Sequence, residues 1–588
     1  MKNILRTCAW SCVWALAAGF WLLGPLIVST HHLTVETPLE ALPVIGVLCL
    51  LFAFMGLLLG PLSHLLATIA QRIVRRRFMD DSWGLALAAG LLLVPAYVLL
   101  GCLIYLKRFG SDGAMAWSLD AFRFAAPASA ACALLLIILH FATSRGLQEK
   151  RIPLALLLAL GVFSSGALAL MLRLPSVMGP AHQARALPRA PLAGARKAPL
   201  LVVGIDGGTW RPIEPLVKSG RLPVLASLIE RGSHGDIEAL WPPYWSTTAW
   251  ATIITGLSRE EAGVYGNLVV DAPGLPPFQA PLDLDPRMVL VSAIEYGLAN
   301  RRFVKAAPPE RSALKRPPIW EMLEKSGVRT AVVRFNFSYP AQNQASIVIS
   351  NRVVPDVWDM LGVKSADPAG LAWPDSLRED LMTTFSERWN PSDSTIDRIF
   401  PEGDWPKPGD SYMNPVRLLK GVLQFDQRTI EAVVNILRAN DDIEVLIVHL
   451  GGLDNVQHVF WQYRFPEDFR LAPAAKDVAA LGPVIDRYLE FVDSGIGRMI
   501  GAFPVEPNVM VISDHGIDSF EGKPPFKGWH ASPGIFVAAG PSLPGRAERL
   551  EVSYYDIVPT ILGITGLSVP ANLSGRSLAM PGEALARR

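Results

Sequence analysis

Cysteine is scarce and unevenly placed. The chain of 588 residues holds five, Cys8, Cys12, Cys49, Cys102 and Cys132, and none follows residue 132. Everything beyond that point carries neither a disulfide nor a thiolate-held metal, although an exported domain needs no disulfide. An excess of charge is lacking as well: 54 Lys and Arg against 53 Asp and Glu leave a formal net charge of +1. Such a balance argues against a nucleic-acid polymer as partner, because phosphate-backbone binding needs a concentrated basic face. Histidine is rare, 10 in the whole chain, so where it falls is informative. No internal repeat is visible.

Apolar sequence is abundant, and its excess lies in the N-terminal third. Five apolar stretches run over about 8–29, 40–66, 84–106, 124–143 and 152–172, each close to the roughly 20 residues that cross a bilayer. The first lacks a clear small-residue cleavage site and precedes four more, which sets aside a signal peptide. Residues 1–172 are therefore expected to form a five-helix transmembrane domain. Lys2 and Arg6 precede the first stretch. Arg72, Arg75, Arg76 and Arg77 separate the second from the third, and Arg145, Lys150 and Arg151 the fourth from the fifth. The first intervening loop has no Lys or Arg, and the third only Lys107, Arg108 and Arg123. This bias puts the N-terminus in the cytoplasm and everything after the fifth stretch outside. In a bacterium that means a multi-pass protein of the inner membrane with its C-terminal domain in the periplasm. Residues 173–198, rich in Pro and Ala, read as a linker.

From Pro199 the pattern becomes α/β. Leu200–Ile205, Thr330–Phe335, Val445–Leu450, Val509–Ser513 and Gly534–Ala539 read as buried strands. Leu222–Arg231, Trp250–Thr255, Ile319–Lys325, Thr429–Ala439, Val484–Ala502 and Tyr555–Ile564 read as helices. The alternation implies a mainly parallel sheet flanked by helices. The stretch at about 268–415 is richer in Pro and Trp and reads as a cap-like insertion within a 199–588 domain.

Ligands of such sheets gather at the carboxyl ends of strands, and there the chemistry-bearing residues collect. Asp206 ends the first strand, where it reads equally as a turn residue or a ligand. Asp454 and His458 stand one helical turn apart after a buried strand and a Gly-Gly turn, good geometry for one shared cation. Asp514-His515 closes another buried strand, where two ionisable groups are costly without a partner. His530 lies in Gly-Trp-His-Ala-Ser-Pro-Gly. Ser246 opens the Trp/Thr-rich segment Trp245-Ser246-Thr247-Thr248-Ala249-Trp250, where a nucleophile can approach free backbone amides. Three Asp, three His and a hydroxyl suit two divalent cations beside a nucleophile.

In order and spacing, Val203-Gly204-Ile205-Asp206-Gly207, Pro242-Pro243 through Thr255-Gly256, Gly263 to Asn267, Asp454 to Trp461, Ser513 to Gly516, His530 to Gly534, Asp556-Ile557-Val558-Pro559-Thr560 and Gly575-Arg576 resemble the alkaline phosphatase superfamily. The likeness covers about 199–580 and leans to the branch of type I phosphodiesterases and nucleotide pyrophosphatases. It implies one cation held by Asp206, Ser246, Asp514 and His515, and a second held by Asp454, His458 and His530. Its nucleophile lies ten residues before Gly256, which gives Ser246, with Thr247 the alternative. Asn267 matches an amide that holds a phosphoryl oxygen, and Thr247 is also expected against substrate. Related diesterases usually carry Thr where this chain has Ser246. A non-ligand His of many relatives is Ala262 here. Classic monoesterases have Arg where Thr247 stands, which weakens a monoesterase reading.

The resemblance thus implies a membrane-anchored, two-metal phosphodiesterase or phosphohydrolase acting outside the cytoplasm through a phosphoserine intermediate. Zn is favoured by the three His plus carboxylates, with Mn the alternative. The substrate is a phosphate ester, with a lipid or an envelope glycan as candidates. Five membrane stretches before such a domain also resemble phosphoethanolamine transferases and lipoteichoic acid synthases. The competing expectation is therefore transfer of a phospho-headgroup from a lipid to an envelope glycan or lipid.

Overall fold

The structure, a computed structural model, describes residues 198–240, 244–264, 266–271, 278–280, 305–353, 367–377, 399, 415–521, 527–543 and 545–579. The five apolar stretches, nearly all of the linker and Pro242-Pro243 lie outside the described residues. Among the described residues no helix is long and apolar enough to cross a membrane.

In chain order the elements begin with β1 (Leu200–Ile205), α1 (Trp210–Lys218), α2 (Pro223–Arg231), β2 (Ser233–Glu238), α3 (Ser246–Thr255) and α4 (Arg259–Ala262). Next come β3 (Leu268–Asp271), β4 (Phe278–Ala280) and β5 (Lys305–Ala307), a small sheet of their own in the order β4-β3-β5. They are followed by α5 (Ile319–Lys325), β6 (Thr330–Val333), β7 (Ile347–Ile349), β8 (Ala372–Trp373), α6 (Pro415–Ala439) and β9 (Val445–Leu450). The chain continues with α7 (Gly452–Arg464), α8 (Ala475–Leu481), α9 (Pro483–Ile500), β10 (Asn508–Ile512), β11 (Gly516–Ser519), β12 (Gly528–Ala531), β13 (Gly534–Ala539), β14 (Leu550–Ser553) and α10 (Tyr554–Thr565).

The main sheet has nine strands in the order β14-β2-β13-β10-β1-β9-β6-β7-β8. Its centre, from β10 through β7, is parallel. The sheet is mainly parallel, as expected, and mixed only in that β13 and β8 run against their neighbours. For β13 the reason is connectivity. The chain leaves the carboxyl end of β10 into the β11–β12 hairpin and re-enters the sheet from that same end, so β13 must run back. Three strands from the stretch read as an insertion, β6, β7 and β8, form one edge of this sheet.

β1 is buried along its whole length, which suits a continuous apolar run covered on both faces. Leu201, Val203 and Ile205 pack against α1, α2, α6, α7 and α9, whereas Leu200 and Val202 pack against α3, α5 and α10. Burial contributes roughly 1.5–3 kcal/mol per large apolar side chain, so the central strands make a firm platform for the residues at their ends. Gly204 lies on the α3 side of β1, where a Cβ would stand 2.9 Å from Trp250 Cη2. Its bare backbone is what lets the Trp250 ring close over the strand. Among the elements that escape a reading by apolar runs, two show why. β2, Ser-His-Gly-Asp-Ile-Glu, is polar but buries every second residue, and α1 buries Trp210, Ile213 and Leu216 on one face of a mostly polar helix.

Candidate active site

Five elements deliver the expected ligands to one place. Asp206 follows β1, Asp454 and His458 lie on α7 after β9, Asp514 and His515 follow β10, His530 lies on β12, and Ser246 is the first residue of α3. Ser246 Oγ donates to Asp206 Oδ1 at 3.1 Å and stands 3.1 Å from His515 Nε2. His515 Nε2 is 3.3 Å from Asp206 Oδ1 and 3.4 Å from Asp514 Oδ2. Beside this group, Asp454 Oδ1 lies 3.3 Å from His458 Nε2 and 3.6 Å from His530 Nε2, and the two Nε2 atoms are 3.1 Å apart. The rings of His515 and His530 stack at 3.9 Å and join the two halves.

The donor set fits divalent cations. His458 Nδ1 lies 2.7 Å from Gly528 O and His515 Nδ1 3.0 Å from Gly516 O. A carbonyl there takes an N–H, so each ring turns its Nε2 to the cluster, where a cation would take the place of the Nε2 proton, the usual orientation of a metal-ligating imidazole. Asp454 Oδ1 and Asp514 Oδ2 are buried without a hydrogen-bond donor. Among the described residues the ion-pair neighbours of the three carboxylates are histidines, with no Lys or Arg. Asp206, Asp514 and His515 could share one ion, and Asp454, His515 and His530 another. Electrostatics carry the same message. Burial lifts the Asp514 carboxyl well above its ordinary range, and the Asp206 charge adds to the lift. Burial alone would raise Asp206 too, but the close contacts and charges of His449 and His515 hold it well below. Burial also opposes charge on His515, yet Asp514 and Asp206 push it up to about 10. A cluster that draws protons onto itself so strongly is one that a cation would neutralise.

Thr247 and Asn267 stand differently. Thr247 is the next residue of α3, half-buried, and Asn267 is buried just ahead of β3 with its Oδ1 unpaired. No hydrogen bond among the described residues joins either to the cluster.

Several supports were not anticipated from sequence. Gly208 N–H donates to Ser513 Oγ at 2.7 Å, and that hydroxyl donates to His515 O at 2.6 Å, so the turns after β1 and β10 are tied together. Gln457 Nε2 donates to Gly207 O at 2.6 Å and links α7 to the same turn. Asp426 of α6 accepts from Gly452 N–H at 3.0 Å and Tyr488 Oη at 2.8 Å, with Arg334 Nη1 at 3.5 Å. Gly452 opens α7, and a Cβ there would stand 1.8 Å from Tyr488 Oη. Asp426→Ala should therefore cost about 3 kcal/mol or more of stability, since Gly452 N–H and Tyr488 Oη lose their acceptor and Arg334 its buried counter-charge. It should also lower turnover through the displaced Asp454. Urea unfolding would measure the first effect, and a loss below about 1 kcal/mol would contradict this strut.

A mixed sheet flanked by helices, with a hydroxyl beside a buried carboxylate–imidazole cluster at its carboxyl edge, is the arrangement of hydrolytic enzymes of the alkaline phosphatase superfamily. The chain belongs to the type I phosphodiesterase / nucleotide pyrophosphatase family, whose pattern it matches over residues 200–551, more than half its length. No curated protein was found to match the sequence. Among solved structures, a 2-O GAG sulfatase is 14% identical, with 65% of this chain and 74% of that chain covered at a TM-score of 0.37. Phosphonoacetate hydrolase from Sinorhizobium meliloti 1021, in complex with phosphonoformate, is 14% identical, with 57% and 61% covered at a TM-score of 0.28.

Proposed function

We propose that this protein is a membrane-anchored phosphodiesterase that acts outside the cytoplasm, through a phosphoserine formed on Ser246, with two divalent cations. The observation that carries the reading is Ser246 Oγ, 3.1 Å from both Asp206 Oδ1 and His515 Nε2. Divalent cations, when bound, would supply charge that favours an ionised hydroxyl and neutralises phosphoryl oxygens. Asp206, Asp514 and His515 would hold one and Asp454, His458 and His530 the other, with zinc or manganese suiting this donor set. Asp206 Oδ1 accepts the Ser246 hydroxyl hydrogen bond and thereby fixes where the oxygen points. The hydroxyl oxygen attacks phosphorus, the alcohol on the far side leaves, and water or an acceptor alcohol then cleaves the phosphoseryl ester. Asn267 would donate its amide to an equatorial phosphoryl oxygen. Anchoring and orientation rest on the five N-terminal apolar stretches and their flanking Arg and Lys.

A diester is favoured over a monoester because no Arg follows Ser246, and Lys and Arg are absent from the ion pairs of the three carboxylates among the described residues. A monoester brings two negative charges, a diester one. The test is paired kinetics on an aryl phosphate and its alkyl diester, run with and without an acceptor alcohol. Higher kcat/KM for the diester is expected, and preference for the monoester would refute the reading. Product carrying the acceptor would move the assignment to headgroup transfer, which the five N-terminal stretches also suit. Asn267→Ala is expected to lose on the order of 2–4 kcal/mol of transition-state stabilisation, as for one oxyanion donor.

A further inference from the structure

His449 is a buried histidine in the middle of the catalytic platform, and the chemistry above does not use it. It sits on β9 directly beside Gly204 of β1. Its Nε2 is 3.3 Å from Asp206 Oδ2, within ion-pair reach but off the direction of a hydrogen bond. The indole of Trp250 reaches the same oxygen from α3, donating from Nε1 at 3.4 Å. The two rings pack edge to face at 5.1 Å, and Phe335 closes against both, at 5.6 Å from His449 and 5.1 Å from Trp250. The two oxygens of one carboxylate thus have separate surroundings. Oδ2 faces two ring nitrogens in an aromatic wall, whereas Oδ1 faces Ser246 Oγ and His515 Nε2.

We propose that His449, with Trp250, is a positioning residue that restricts Asp206 to one working oxygen, so that only Oδ1 is presented to the nucleophile and to a bound cation. A carboxylate with both oxygens free can rotate, take a cation through both, and abandon its hydrogen bond to the neighbouring hydroxyl. Two ring nitrogens fixed by packing on Oδ2 prevent that rotation, because neither ring can follow it. Outer partners of this kind fix the orientation of ligating groups and contribute to metal affinity. Gly204 is part of the device: its missing side chain leaves the space that Trp250 fills over β1. The proposal rests on the reading of Asp206 as a cation ligand.

The experiment compares full-length His449→Phe and His449→Gln with the unsubstituted protein. Phenylalanine keeps the aromatic packing without a donor, and glutamine returns an amide N–H near the position of Nε2. Zinc content after dialysis against a graded chelator, thermal midpoint, kcat and KM are measured for each. His449→Phe should lose about 10–100-fold in zinc affinity, the range for loss of an outer partner. Its kcat should fall while KM changes little, and its midpoint without zinc should be near that of the unsubstituted protein. His449→Gln should recover most of both losses. Zinc affinity and kcat unchanged in His449→Phe would overturn the proposal. So would equal impairment of His449→Gln, which would make the ring's shape rather than its donor the important feature. Should His449→Phe fail to fold, Trp250→Phe removes the other N–H from the same oxygen, and an unchanged zinc affinity there counts against the proposal. Unsubstituted protein that turns over phosphodiester without binding any divalent cation would instead overturn the cation reading of the site, and this inference with it.

Discussion

Ser246→Ala is expected to abolish turnover, by a factor on the order of 10^4 or more, as for loss of a covalent nucleophile. The argument is local. Ser246 Oγ is the hydroxyl that meets both Asp206 and His515, whereas Thr247 makes no hydrogen bond to the cluster among the described residues. Stability should change little, since the side chain is small and half-buried and its removal leaves Asp206 Oδ1 with His515. Cation content should be largely retained, because the carboxylates and imidazoles remain. Thr247→Ala is the control and should change turnover only modestly, because no hydrogen bond among the described residues joins Thr247 to the cluster. Single-turnover kinetics on a chromogenic phosphodiester would decide the matter, and an active Ser246→Ala beside an inactive Thr247→Ala would reverse the assignment.

The parts of the site that could be read from sequence are those where a local pattern and a physical requirement coincide. Asp206 and Asp514-His515 interrupt apolar strands with charge, and strand ends are where an α/β sheet opens to ligands. Asp454 and His458 are marked by helical spacing. What sequence hides is what depends on pairing across the chain. His449 is one polar residue in an apolar strand and reads as a core histidine. Its meaning appears only when β9 pairs with β1 and α3 folds Trp250 over Gly204. Gln457 looks like a surface residue of α7 until its bond to the Gly207 carbonyl is seen. Asp426 sits on a long amphipathic helix, and nothing in its neighbourhood tells that it receives the first N–H of α7. The same limit applies to the sheet. The central strands are apolar throughout and legible, whereas β2 is polar and joins the sheet by pairing with β13 on one side and β14 on the other.

The other large effect is expected at Asp514, and its sign should depend on whether cations are present. Asp514 is fully buried, near Asp206 and Asp454, and the charges of those two carboxylates together with burial work against its own ionisation. Asp514→Asn keeps the shape and the Oδ1 that accepts from Gly207 N–H, and it leaves the backbone carbonyl that Tyr554 Oη meets. In protein stripped by chelation, the substitution removes one of three crowded acidic groups, so the variant should unfold at a higher temperature than the unsubstituted protein. On adding a divalent cation the order should invert. The unsubstituted protein should gain about 2.7 kcal/mol for each site held at a hundredfold over its dissociation constant. The variant should gain only from the Asp454, His458 and His530 half, and its turnover should stay lower by a factor on the order of 10^3, the loss of about 4 kcal/mol of transition-state stabilisation. Calorimetry with and without zinc or manganese reads the inversion, and elemental analysis reads the missing ion. A chelated protein that keeps full activity, or a variant equally stabilised by cation, would show that these buried acids serve the fold and not the reaction.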